Sequence, residues 1–127
     1  MTTNIYLGID MGSSSLKALA LDADSGRTMA LARAALPHDR RPGGGCEVAE
    51  AAIHAALGRV LGAIAGQLGP LAAAVRAIGC TGHGAGLYAL DAAGRLVGGS
   101  AVASTDQRAT ARALKLARSP VSYTHLT

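Results

Sequence analysis

Residues 8–18 read GIDMGSSSLKA, and the chain on either side of them sets the architecture. From Asn4 to Asp10 the residues alternate, with Ile5, Leu7 and Ile9 on one face, the period of a half-buried strand. Met11 to Ser15 is small and polar, so the chain turns there. Leu16 to Asp22 is apolar on both faces, which suits a central strand with a layer on each side. Asp22-Ala23-Asp24-Ser25-Gly26 carries turn chemistry, and Arg27 to Leu36 reads as a third strand returning antiparallel. The opening is therefore three strands joined by two tight turns.

Further along, Pro37 to Cys46 holds two prolines and the run Gly43-Gly44-Gly45, and is expected to be irregular. A helix is expected from about Glu47 to Gln67. Ile53, Leu57, Val60, Leu61, Ile64 and Leu68 form one apolar stripe, with Glu47 and Glu50 in the first turn, where the helix dipole favours negative charge. Gly58, Gly62 and Gly66 recur every fourth residue and are expected to let the helix pack closely on the sheet. Gly69-Pro70 ends the helix. Val75 to Cys80 reads as a short buried strand, Gly86 to Asp91 as another, and Leu96 to Ala103 as extended and glycine-interrupted. Thr105 to Arg118 reads as a helix capped by Ser104 or Thr105. Strands, a helix and further strands make a mixed α/β sheet.

Composition narrows the classes. The 127 residues carry 12 Lys+Arg and 8 Asp+Glu, a formal charge of +4, with 50% hydrophobic and only 2% aromatic residues. Mean hydropathy is +0.29. Such a chain is an ordered single domain rather than a charge-dominated disordered one. Two cysteines, Cys46 and Cys80, without CxxC spacing, are expected to be ordinary buried thiols. The basic residues are scattered and stacking aromatics nearly absent, so no nucleic-acid partner is expected. His54, Arg59, Gln67, Pro70 and Arg76 interrupt the most apolar stretch, so no membrane partner is expected either. With no basic leader followed by an apolar run, a cytoplasmic location is expected.

The turn at 10–17 has the parts of a phosphate site. Asp10 stands at a strand end, able to hold Mg²⁺ through water. Gly12 lets backbone N–H groups approach anionic oxygens, Ser13 and Ser14 add hydroxyls, and Lys17 follows on the returning strand. The spacing is not that of a P-loop, which would end in Gly-Lys-Ser/Thr. A plain hairpin with a Gly-Ser turn would account for the same residues.

Strand, Asp-x-Gly-Ser-x-x-x-Lys, strand resembles the first phosphate motif of the actin, Hsp70 and sugar-kinase superfamily, with its ribonuclease H-like mixed sheet. Activator ATPases of acyl-CoA dehydratases begin similarly. Residues 81–109, TGHGAGLYALDAAGRLVGGSAVASTDQRA, are similar to the FGGY carbohydrate kinases at Gly82, Gly86, Leu87, Leu90, Asp91, Gly94, Asp106 and Arg108, and Glu47 fits the family's first helix. The resemblance covers residues 4 to about 118 and implies the N-terminal portion of a kinase's first domain, whose full-length form transfers the γ-phosphoryl group of ATP, with Mg²⁺, to a hydroxyl of a small sugar or polyol. A homo-oligomeric full-length form is compatible with it. It implies Gly12, Ser13, Ser14 and Lys17 on the phosphates, Asp10 on the metal, and His83, Gly84, Ser104, Asp106 and Arg108 on the substrate. Asp106 near a helix N-terminus also has an ordinary dipole-stabilising role, and His83 one in stabilising its loop.

Where xylulose kinases have Gln-Met-His, this chain has His83-Gly84-Ala85, and Ser104 stands where they have an aromatic residue. These departures look more like the erythritol kinase and L-xylulose kinase subgroup. In the family the catalytic aspartate and the adenosine pocket come from later segments, so this polypeptide alone is expected to be inactive. The alternatives are an ATP-driven activator or scaffold of the same superfamily, and a non-functional remnant. His38 and His54 lack ligand partners at metal spacing and are expected to be surface residues. Residues 1–118 are thus expected to form the incomplete domain. Residues 119–127 are expected to be a non-native tail, since Val121 to Leu126 resembles a translated transposase adapter used in sequencing libraries.

Overall fold

The computed structural model describes residues 3–118. Three strands open the chain: β1 (Ile5–Met11), β2 (Ser15–Asp22) and β3 (Thr28–Ala35). A second group follows, β4 (Asp39–Arg41) and β5 (Gly45–Ala49), separated by a 3-10 turn at Pro42–Gly44. Helix α1 (Glu50–Leu68) leads through a 3-10 segment (Gly69–Ala74) into β6 (Val75–Gly82). The last elements are β7 (Ser100–Val102) and α2 (Thr110–Ala117). The main sheet has the order β3-β2-β1-β6, antiparallel except for the parallel β1–β6 pair. A smaller antiparallel sheet has the order β4-β5-β7.

One helix builds the core. Ile5 and Leu7 of β1, Leu16, Ala18 and Ala20 of β2, and Ala30 and Ala34 of β3 turn to one face. They are buried against Ala56, Val60, Ile64 and Leu68 of α1. Small alanines on β2 and β3 let the helix sit close to the sheet, and the larger Leu and Ile residues fill the space between them. By length and composition α1 and the segment after it could cross a bilayer, yet its apolar stripe lies on the sheet.

Several expectations need correction. The opposite face of β2 has no covering layer among the described residues: Lys17 is exposed, and Leu19 and Leu21 are half-buried. Residues 37–46 are partly regular. Glu47 belongs to β5 and not to the helix, because Cys46 and Val48 are buried at a period of two. Gly58, Gly62 and Gly66 do not face the sheet; they are exposed, and a Cβ on any of them would meet nothing within 4 Å. β6 is almost wholly exposed, and so is Cys80, whereas Cys46 is buried. Gly86 to Asp91 is an arm with isolated bridges, Leu87 to Val102 and Leu90 to Leu96, rather than a strand. The last helix starts at Thr110, after a turn in which Thr105 donates its hydroxyl to Cys46 Sγ (3.2 Å), and it has no side-chain cap. The expected tail lies outside the described residues.

Candidate functional site

The parallel β1–β6 pair brings two strand ends to one rim. Asp10 lies beside Thr81 and Met11 beside Gly82, and the His83 N–H donates to the Met11 carbonyl (3.0 Å). Asp10, the 12–14 turn and His83 are thereby neighbours, although 73 residues separate Asp10 from His83. Gly12 N–H closes the turn on the Ser15 carbonyl (3.0 Å). The Ser13 and Ser14 carbonyls are engaged from outside, by His38 Nε2 (2.7 Å) and by the Leu36 N–H (2.9 Å). His38, expected to be an idle surface residue, therefore buttresses the turn. The Ser13 and Ser14 N–H groups have no partner among the described residues. Two free amides and two exposed hydroxyls at one bend form an anion-binding concavity.

Lys17, register partner of Asp10, places Nζ 3.7 Å from Asp10 Oδ2, and both side chains are about half exposed. No group of three His, Cys, Asp or Glu side chains gathers around a common point among the described residues. A single accessible carboxylate beside an anion site suits Mg²⁺, which keeps several waters and takes further ligands from phosphate. Asp10 fits that role.

His83 is the exceptional side chain of the rim. Both ring nitrogens are buried and have no hydrogen-bond partner among the described residues. An uncompensated buried polar group costs about 1–3 kcal/mol. The ring rests at Gly86, where an added Cβ would lie 3.0 Å from His83 Cε1, 3.0 Å from Tyr88 Cε2 and 3.3 Å from the Val102 carbonyl oxygen. Only glycine leaves that space. Gly84 is exposed beside it.

The arm after His83 is fastened at two points. Leu87 and Val102 exchange backbone bonds of 2.9 and 3.0 Å, tying the arm to the small sheet. Arg95 Nε donates to both oxygens of the buried Glu50 at the start of α1 (3.0 and 3.2 Å). That bond first, and the Arg95 charge with it, holds the Glu50 carboxyl below its ordinary value.

Asp106 and Arg108 sit on the small sheet, in the turn before α2, and bind each other. Asp106 Oδ2 accepts from Arg108 Nη2 (2.6 Å) and from the Cys46 N–H (2.8 Å), and Oδ1 accepts from the Arg108 N–H (3.0 Å). Arg108 Nη1 reaches Glu47 Oε1 (2.9 Å), while Glu47 Oε2 accepts from the Ser100 hydroxyl (3.0 Å) and meets Arg41 Nε (3.3 Å). The Arg108 guanidinium, aided by the Cys46 N–H, holds the Asp106 carboxyl far below the usual carboxylate range. The Ser100 hydroxyl, and after it Arg108, lowers Glu47. Gly45 is required here, since a Cβ would lie 2.6 Å from Arg41 Cβ and 3.2 Å from Arg108 Nε. Ser104 is exposed at the mouth of this turn. Arg41 and Ser100, unremarked in the sequence, complete the network. No local spacing links them to Arg108.

The FGGY family of carbohydrate kinases, N-terminal domain, matches residues 5–125. The chain belongs to this family. Solved relatives agree with the fold. A kinase from Brucella ovis, described as a xyloylose kinase, is 27% identical, with a TM-score of 0.79 over 89% of this chain and 23% of its own. Xylulose kinase from Rhodospirillum rubrum is 20% identical, with a TM-score of 0.74 over 90% of this chain and 23% of that one. Plasmodium falciparum glycerol kinase with ADP is 16% identical, with a TM-score of 0.71 over 92% and 24%. No curated protein sequence matches. The chain spans about a quarter of the length of these solved proteins.

Proposed function

We propose that this chain is the phosphate-binding and acceptor-binding opening of an ATP-dependent kinase for a small sugar or polyol. The observation that carries the reading is the rim itself, where free amides and hydroxyls of Ser13 and Ser14 stand beside Asp10 and Lys17, one strand away from an unpartnered imidazole. Phosphoryl transfer to an alcohol relies mainly on positioning and charge neutralisation. Gly12, Ser13, Ser14 and Lys17 would grip the phosphates. Asp10 would hold Mg²⁺, which supplies charge neutralisation at the transferred group. His83 would bond an acceptor hydroxyl, and a bound hydroxyl would satisfy a nitrogen that is otherwise unpaired.

Gly84 leaves the acceptor backbone access, and Ser104 a hydroxyl contact. Asp106 and Arg108 would act through the substrate-side wall they brace, since each already engages the other. The general base belongs to sequence beyond these residues, so the 127-residue chain is inactive alone. Small side chains at Gly84, Ala85 and Ser104 favour a polyol or L-sugar acceptor of the erythritol or L-xylulose type over D-xylulose.

The test is ADP release by the polypeptide extended to the length of its relatives, across a panel of polyols and pentuloses. Acceptor-stimulated turnover that falls by about a hundredfold or more in Asp10→Ala is expected. Turnover indifferent to every acceptor, or to Asp10→Ala, removes the reading.

A further inference from the structure

The turn after β1 is held from outside by the segment that follows β3. Register carries β3 to the turn, with Ala35 beside Ser15. Leu36 is buried in the core, and Pro37 restricts the backbone between it and His38, so both reach the turn on a short, stiff lead. The Leu36 N–H donates to the Ser14 carbonyl (2.9 Å), and His38 Nε2 lies 2.7 Å from the Ser13 carbonyl oxygen. A carbonyl only accepts, so Nε2 carries the proton. In a trans peptide the N–H points opposite to the C=O of the same unit, and no peptide among the described residues is cis. The His38 bond therefore aims the Ser14 N–H away from the imidazole, to the side where that amide has no partner among the described residues. A peptide between two exposed serines is thus oriented by a side-chain donor rather than by packing.

We propose that His38 is a positioning residue for nucleotide binding, an inference that rests on reading this turn as the phosphate grip. By tying down the Ser13 carbonyl it presets the Ser14 amide for the phosphates, without touching them itself. An exposed Gly-Ser-Ser bend left untied would sample several orientations, and the ligand would have to order it on binding. A donor already in place lowers that cost. The role needs an N–H at the Nε2 position and no charge on the ring. His38 stands on the β3 side of the rim and His83 on the β6 side, so the effect belongs to the nucleotide and not to the acceptor.

Equilibrium binding of MgATP to the polypeptide extended to the length of its relatives tests this, beside the KM of the acceptor it turns over and thermal melts. His38→Ala should weaken MgATP binding by about three- to tenfold, the worth of one hydrogen bond, with acceptor KM and melting temperature little changed. His38→Gln, which places an amide N–H where Nε2 stands, should restore the affinity, and the shorter His38→Asn should not. Nitrogen NMR spectra of the unaltered protein should show the His38 ring protonated at Nε2. A ring protonated at Nδ1 alone overturns the proposal. So does His38→Ala binding MgATP like the unaltered protein while Asp10→Ala does not. A joint loss of acceptor affinity and melting temperature overturns it as well, since that is general loosening. If neither Asp10→Ala nor His38→Ala alters MgATP binding, or the unaltered protein binds none, the phosphate reading falls and this role with it.

Discussion

Asp106 is held by several groups at once. Arg108, its own turn and the Cys46 N–H all bind it, and its side chain is 8% exposed. Because its folded-state pKa lies below the unfolded one, its stabilisation is complete above the ordinary value near 3.8 and is lost as pH falls through the folded value. Glu47 and Glu50 are lowered as well and act in the same direction. Asp106→Asn should therefore lower the melting temperature by a few degrees at neutral pH and flatten its decline in acid, as a thermal melt series from pH 7 downward would read. An unchanged acid limb would mean that Asp106 contributes nothing to it. The Asp-x-Arg spacing made this pair visible in the sequence. That Glu47 anchors the pair was not visible, because contacts made to it from Ser100 and Arg108, more than fifty residues away, leave no periodic trace, and Arg41 and Ser100 went unremarked.

Elements with a clear period were legible. β1 alternates, and α1 repeats its apolar residues over nineteen positions. The missed boundaries lie where backbone bonding overrides pattern. Cys46 and Val48 pull Glu47 into a strand, and the turn at Ser104 delays α2 to Thr110. The arm at 86–97 alternates too weakly to commit to a sheet, and two bridges and the Glu50–Arg95 pair hold it instead. Gln67 shows how a helix residue can finish a sheet: the Leu31 N–H donates to Gln67 Oε1 (3.1 Å), and Gln67 Nε2 donates to the Leu31 carbonyl (3.0 Å). Gln67→Ala should speed exchange at the Leu31 amide selectively and reduce stability by about 1 kcal/mol, since only exposed bonds are lost. Peptide-resolved hydrogen exchange would detect it, and uniform acceleration across β3 would argue for general loosening instead.

Across the whole molecule, a single helix–sheet interface supplies most of the burial. Ile64, 3% exposed, lies within it. Ile64→Ala should destabilise by about 2–5 kcal/mol, measured from the urea midpoint, a large share of what a domain of this size possesses. A loss under 1 kcal/mol would place the main packing elsewhere. The rim was legible only in halves, since Asp10 and His83 each stood out but nothing local said that their strands run side by side. That parallel pairing makes β6 a ruler for the rim. Deleting one residue between Val75 and Gly82 would retract the imidazole by about 3.3 Å and swap the two faces of the strand. The imidazole and the 12–14 turn would then no longer stand side by side, with every named side chain still present.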